Sequence, residues 1–189
     1  RYAALVAAVR EGATIADMVA TIGQEWVRSV QVPKMRLAEP FERLRDASDR
    51  MLKGTGRRPA VFLATLGRMA EFTARAAFAR NAFEAGGIEA VGGKVHDGLD
   101  ALIDAFRESR AEIACVCGTD EAYGERGVEV AAARKAAGAQ GVWLAGRPGE
   151  REAEFRAAGM DAFVFAGCDI LSELTGAHER LGLAGEDRK

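Results

Sequence analysis

Cysteine and histidine are scarce in this 189-residue sequence: three Cys, at positions 115, 117 and 168, and two His, at 96 and 178. A small, odd cysteine count is no disulfide framework of a secreted domain, and it points to a reducing, cytoplasmic setting. Long apolar runs are missing too. None approaches the about 20 residues of a membrane-spanning helix, so no membrane segment is expected. Charge of one sign is not in excess either, because 26 Lys and Arg stand against 28 Asp and Glu, a formal net charge of −2. A nucleic-acid partner would want a concentrated basic patch, and none is present. After the first strand-like run Gly67 stands alone before Arg68, Met69 and Ala70, so neither G-x-G-x-x-G nor G-x-x-x-x-G-K-[ST] is there to hold a phosphate. No Ser-His-Asp or Cys-His grouping is visible. The first residue is Arg rather than Met and no signal-like segment follows it, so the sequence reads as part of a longer chain.

What remains is the composition of a folded protein, 49% hydrophobic and 29% charged, enough for one substantial core with an added helical segment. Residues 1–58 read as that extension and its linker. Leu5, Val6 and Val9 mark a first helix, broken at Gly12. Thr14 is placed to cap a second, which carries Ile15, Met18, Val19 and Ile22 on one face. Val30 to Leu37, with Pro33 inside, reads as a connection. Pro40 opens a third helix at its first turn, where a missing N–H costs nothing, and Gly54 closes it. The linker is Gly54 to Arg58.

Residues 59–185 change style. Five short apolar runs alternate with helical stretches: Ala60–Leu66, Ile88–Val91, Ile113–Cys117, Val142–Ala145 and Ala162–Phe165. Continuous apolar strands followed by helices predict an α/β domain whose parallel sheet is covered on both faces. Five strands in about 130 residues favour the flavodoxin-like order 2-1-3-4-5 over half of a dinucleotide-binding sheet. The tail from Ala184 to Lys189 is polar and is expected to fray.

Ligands of such sheets sit at the carboxyl ends of the strands, near the point where strand order reverses. The loops to inspect are therefore 67–71, 117–120, 145–149 and 166–169. Neither Leu66 nor Cys117 supplies the carboxylate of a phosphorylation site. Cys115 and Cys117 are read as small core residues pointing to opposite faces of their strand, with a spacing too short for zinc. Cys117 and Cys168 end strands separated by a third, beyond disulfide reach. His96, in the loop before the second crossover helix, and His178, in the last helix, each read as solvated surface residues. Glu71 and Asp120 are the acids best placed for chemistry, although their first-turn positions already suit the helix dipole.

Several segments together resemble a known family. They are Val61-Phe62-Leu63-Ala64-Thr65-Leu66-Gly67, the helix bearing Phe72 and Phe78, Gly87-Ile88 through Gly92-Gly93, Gly118-Thr119, and Arg134-Lys135-Ala136-Ala137-Gly138-Ala139 before the fourth strand. From Arg58 to Leu181 the sequence resembles the C-terminal cobalamin-binding domain of methylmalonyl-CoA mutase, and within that family it is most similar to the small subunit of the bacterial heterodimeric enzyme. Arg36 to Glu42 resembles the segment that links the family's barrel to this domain.

The departures carry as much weight as the likeness. Cobalamin-binding members have D-x-H-x-x-G after the first strand, and its His meets cobalt. Here Met69, Glu71 and Ala74 stand at those places. The family's S-x-L becomes Cys117-Gly118-Thr119, and its Gly-Gly becomes Ala145-Gly146. A benzimidazole tail must thread a slot lined by small residues, which Met69 and Phe72 are expected to plug. The resemblance therefore implies a domain with no cofactor, metal or catalytic residue of its own. Its partner would be a large subunit that carries adenosylcobalamin and interconverts methylmalonyl-CoA and succinyl-CoA, with self-association of the isolated fragment a further expectation. Two other readings stay open. One is an active cobalamin domain with a divergent lower ligand, for which His96 is the only loop histidine. The other is a regulatory flavodoxin-like module for a small molecule.

Overall fold

In a computed structural model, the structure describes residues 2–22 and 36–183. The chain divides into two compact units, Arg1–Met35 and Arg36–Lys189. Residues 30–35 of the connection expected from Val30 to Leu37, and the tail at 184–189, lie outside the described residues.

The first unit holds helices α1 (Tyr2–Arg10) and α2 (Ile15–Ile22). Thr14 and Asp17 cap α2 reciprocally. The Asp17 N–H donates to Thr14 Oγ1 at 3.3 Å, while the Thr14 N–H and hydroxyl donate to Asp17 Oδ2 at 2.9 and 2.6 Å. Those bonds hold the Asp17 carboxyl below its ordinary pKa.

The second unit begins with α3 (Glu39–Thr55), which has Pro40 in its first turn and stops at Gly56, in the left-handed region. There follow β1 (Ala60–Thr65), α4 (Met69–Ala85), β2 (Glu89–Gly92), α5 (Gly98–Ser109) and β3 (Ile113–Cys117). After β3 a short α6 (Asp120–Ala122) runs through one π turn (Tyr123–Gly127) into α7 (Val128–Ala136). The chain continues with β4 (Gly141–Ala145), a single 3₁₀ turn (Gly149–Arg151), α8 (Glu152–Ala157), β5 (Ala162–Val164) and α9 (Ile170–Arg180). All strand pairs are parallel, and the sheet order is β2-β1-β3-β4-β5. This is the flavodoxin-like α/β arrangement expected from the sequence.

Period-two alternation sorts the strands into two cores. Phe62, Ala64, Ala114, Val116, Val142 and Leu144 face the layer shared with Phe106 of α5, Val130 of α7 and Phe155 of α8. Val61, Leu63, Ile113, Cys115, Trp143 and Val164 face the layer shared with Phe72 and Phe83 of α4 and Leu174 of α9. Cys115 and Cys117 both belong to this second layer, which corrects the expectation of opposite faces. They are two residues apart, and a pleat returns every second side chain to the same side.

Helix α3, assigned by sequence to the extension, packs with the sheet unit. Phe41 and Leu44 lie against the second core, and Ser48 is buried beside the turn that ends α4. The turn makes this close approach possible at Gly87, whose φ is +81°. An added Cβ would sit 2.9 Å from Ser48 Oγ and 3.1 Å from the Arg45 backbone.

His178 corrects a second expectation. It is 1% exposed, and Nε2–H donates to the Gly86 carbonyl at 2.9 Å, tying α9 to the same turn. Its place on the inner face of α9, beside Leu174 and Ala177, overrides its polarity. Burial pulls its pKa below the ordinary 6.5. His96 is half-buried rather than solvated: its ring lies 6.0 Å from that of Phe62, and burial, with Arg134 and Lys94 nearby, lowers its pKa. Arg134 is wholly buried between the rings of Phe62 and Phe106, at 4.7 and 4.9 Å, and donates to the Leu102 carbonyl at 2.8 Å. Burial brings its pKa down to about 10.

Candidate functional site

The crevice at the carboxyl end of the sheet is built from the loops after β1, β3 and β4. After β1 the chain turns at Gly67, with φ +84°, and enters α4 through a cap in which Glu71 accepts from Arg68. The Arg68 N–H donates to Glu71 Oε2 at 2.8 Å, and Arg68 Nε donates to Glu71 Oε1 at 2.7 Å. The backbone bond, then the side-chain bond, hold the Glu71 carboxyl below its ordinary pKa. Glu71 is thus engaged within its own loop as an anionic cap at a helix N-terminus.

After β3, Thr119 caps α6 by accepting the Ala122 N–H at 3.2 Å. The helix then delivers Tyr123 into the crevice. The Tyr123 hydroxyl accepts the Gly118 N–H at 2.9 Å and donates to the Ala145 carbonyl at 2.7 Å, with the Val116 carbonyl 3.3 Å away. One phenol therefore ties the ends of β3 and β4 together. It is 2% exposed, and burial raises its pKa far above the ordinary phenol value.

Arg75 closes the crevice from the other side. From α4, which follows β1, it reaches Asp120 Oδ1 at 2.7 Å and lays its guanidinium 5.0 Å over the Tyr123 ring. Its Nη1 is buried with no hydrogen-bond partner among the described residues. A Cβ on Gly146, after β4, would come within 2.9 Å of that atom and 3.1 Å of the Tyr123 ring. Arg75 thus spans the reversal of strand order between β1 and β3, the place where such sheets take their ligands.

The residues marked by sequence fall as follows. Thr119, Ala145 and Gly146 surround Tyr123, and Glu71 lies in the first turn of α4, one turn before Arg75. Cys117 is buried below them, at the end of β3, its thiol 3.6 Å from the Cys115 carbonyl. Ala74 is exposed on α4. Met69 is 65% exposed and fills no slot, while Phe72 is buried in the second core. The expected plug of Met69 and Phe72 is therefore corrected. Met69 opens α4 with its side chain outward, and Phe72 turns under the helix. The residues that fill the crevice are Tyr123 and Arg75, and neither stood out in the sequence. The available signals were a Tyr five residues after Gly118 and an Arg one helical turn after Glu71.

His96 packs beside Phe62, in the layer of α5 and α7, rather than in the loops around Tyr123. All three cysteines are free, and among the described residues no group of three or more His, Cys, Asp or Glu could hold a metal. No described helix is long and apolar enough to cross a membrane.

Fold and crevice define an α/β domain of flavodoxin-like topology whose switch point is filled by its own side chains. No protein-family model matches the chain. Individual curated proteins do. It is 46% identical over 153 residues to the methylmalonyl-CoA mutase small subunit of Streptomyces virginiae, covering 81% of this chain and 24% of that protein. It is 35% identical over 153 residues to the methylmalonyl-CoA mutase small subunit of Propionibacterium freudenreichii subsp. shermanii, covering 79% of this chain and 23% of that protein. The chain belongs to the methylmalonyl-CoA mutase small-subunit family, and it spans about a quarter of the length of the curated relatives it matches.

Proposed function

We propose that this chain is the cobalamin-domain-like part of a methylmalonyl-CoA mutase small subunit that binds no cobalamin itself. It serves as a non-catalytic assembly partner of a large subunit. In that pairing the large subunit carries adenosylcobalamin, which supplies the radical chemistry that interconverts methylmalonyl-CoA and succinyl-CoA. The observation that carries the reading is Glu71. It stands where the resemblance requires the imidazole that meets cobalt, and both its oxygens are bound to Arg68. A carboxylate committed to its own helix cap is a poor replacement for a neutral nitrogen ligand. The crevice above it is taken by Tyr123 and Arg75, so the residues present do not fit the cofactor.

Co-expression of the full-length small subunit with a cobalamin-binding large subunit, followed by affinity capture of either, tests the pairing. The expected result is a stoichiometric complex in which all cobalamin partitions with the large subunit on dissociation. Failure to form a complex, or cobalamin retained by the small subunit, would overturn the reading.

A further inference from the structure

We propose that Tyr123, roofed by Arg75, is a built-in occupant of the switch-point crevice, and that this ring keeps a planar aromatic ligand out independently of what stands at position 71. The inference rests on the reading above and goes a step further, from a missing ligand atom to a filled volume.

Tyr123 occupies the crevice in the manner of a bound ligand. Its ring is covered by a guanidinium at 5.0 Å, and its hydroxyl meets one main-chain donor and one main-chain acceptor from neighbouring strand ends. Two of the walls are glycine: Gly118 and Gly146 both approach the ring. Gly118 leaves 3.4 Å between its would-be Cβ and the Tyr123 ring, and Gly146 leaves 3.1 Å. A flat group thus lies between glycine walls at the end of a parallel sheet, but it is tethered to the chain through the π turn that begins at Tyr123. Such turns re-aim a side chain without ending a helix.

Arg75 is the roof. Its carboxylate partner among the described residues, Asp120, has a 74% exposed side chain, so the guanidinium is held from outside. The buried Nη1, which has no hydrogen-bond partner among the described residues, lies toward Gly146, where a ligand would supply an acceptor and the tyrosine ring does not. Two consequences follow. Restoring histidine at position 71 does not by itself admit a benzimidazole-bearing cofactor. Removing the ring leaves a slot of matching shape, flanked by a free donor on Gly118 and a free acceptor on Ala145.

The test is chemical rescue. Tyr123→Ala in the 189-residue chain is titrated with phenol, the excised side chain, and with 5,6-dimethylbenzimidazole, while the thermal midpoint is followed. Wild type and Tyr123→Phe serve as controls. The expected result is a saturable rise of about 3–6 °C at ten times Kd in Tyr123→Ala, with no rise in either control. If that variant does not fold, Tyr123→Val, prepared with phenol present, is titrated in its place. Absence of a saturable rise overturns the proposal, because the crevice then collapses. An equal rise in wild type also overturns it, because the probe then binds elsewhere. A shift in the visible spectrum of hydroxocobalamin on mixing with Glu71→His alone would do the same. None of these results touches the unbound state of the wild-type chain, which a direct cobalamin titration reads separately.

Discussion

The two ends of the sheet are opposites. At the carboxyl end, where ligands of this fold are held, Arg75 of α4 and Tyr123 of the π turn close on the strand ends. At the amino end a groove of about 710 Å³ stays open, lined by Arg45, Arg57, Arg58, Glu84 and Glu89 among others. The filled end is joined by buried bonds through Tyr123. The open end is crossed by surface ion pairs, Arg57 to Glu112 at 3.5 Å and Arg58 to Asp49. Burial separates them energetically. A bond made inside replaces one to water and leaves a costly orphan if broken, whereas an exposed pair is largely screened. Space alone is therefore a poor guide to where this domain stores its stability.

That contrast can be broken at several points. The largest effect is expected from Tyr123→Ala, which removes a buried ring and a phenol bonded at both strand ends. A loss of about 3–5 kcal/mol in denaturant unfolding would match other large aromatic truncations. Next is Gly87→Ala, which combines a left-handed backbone with a Cβ pressed on Ser48 and Arg45. A loss of about 1–3 kcal/mol is expected, and α3 should become more susceptible to proteolysis.

Acid should act through buried His178 and half-buried His96. His178 and His96 both have folded pKa values below the ordinary 6.5, so the unfolded chain binds more protons as pH falls. Their contribution is complete above the unfolded pKa and is lost as pH drops through 6.5 toward the folded values. Urea unfolding between about pH 7.5 and 5.5 should show stability falling. His178→Gln, which keeps a donor for the Gly86 carbonyl, should flatten part of that slope. The smallest effect belongs to the open end, where Arg57→Ala should change stability by no more than about 0.5 kcal/mol. A larger loss there would place the amino end among the structural determinants and erase the contrast.

The sheet was legible because its signal is repetitive. Ile113 to Cys117 is apolar at every position and Val61 to Leu66 at every position but Thr65, as suits strands covered on both faces, and the intervening helices are long enough to read. The crevice was legible only along the chain. Glu71, Thr119 and Gly146 could be marked from their offsets to strand ends. The meeting of Arg75 with Tyr123 joins residues 48 positions apart through a π turn that no local pattern announces. Met69 misled because sequence gives size but not direction. His178 misled because its inward placement depends on α9 packing against the Gly86 turn, a long-range contact.

The central proposal is that the wild-type chain takes up no cobalamin. A visible-absorption titration of the 189-residue protein with hydroxocobalamin and adenosylcobalamin reads it directly. The spectra of both should remain those of the free cofactors at micromolar protein. A saturable shift would contradict the account, because it would require the Tyr123 ring and the Glu71 cap to give way to a ligand.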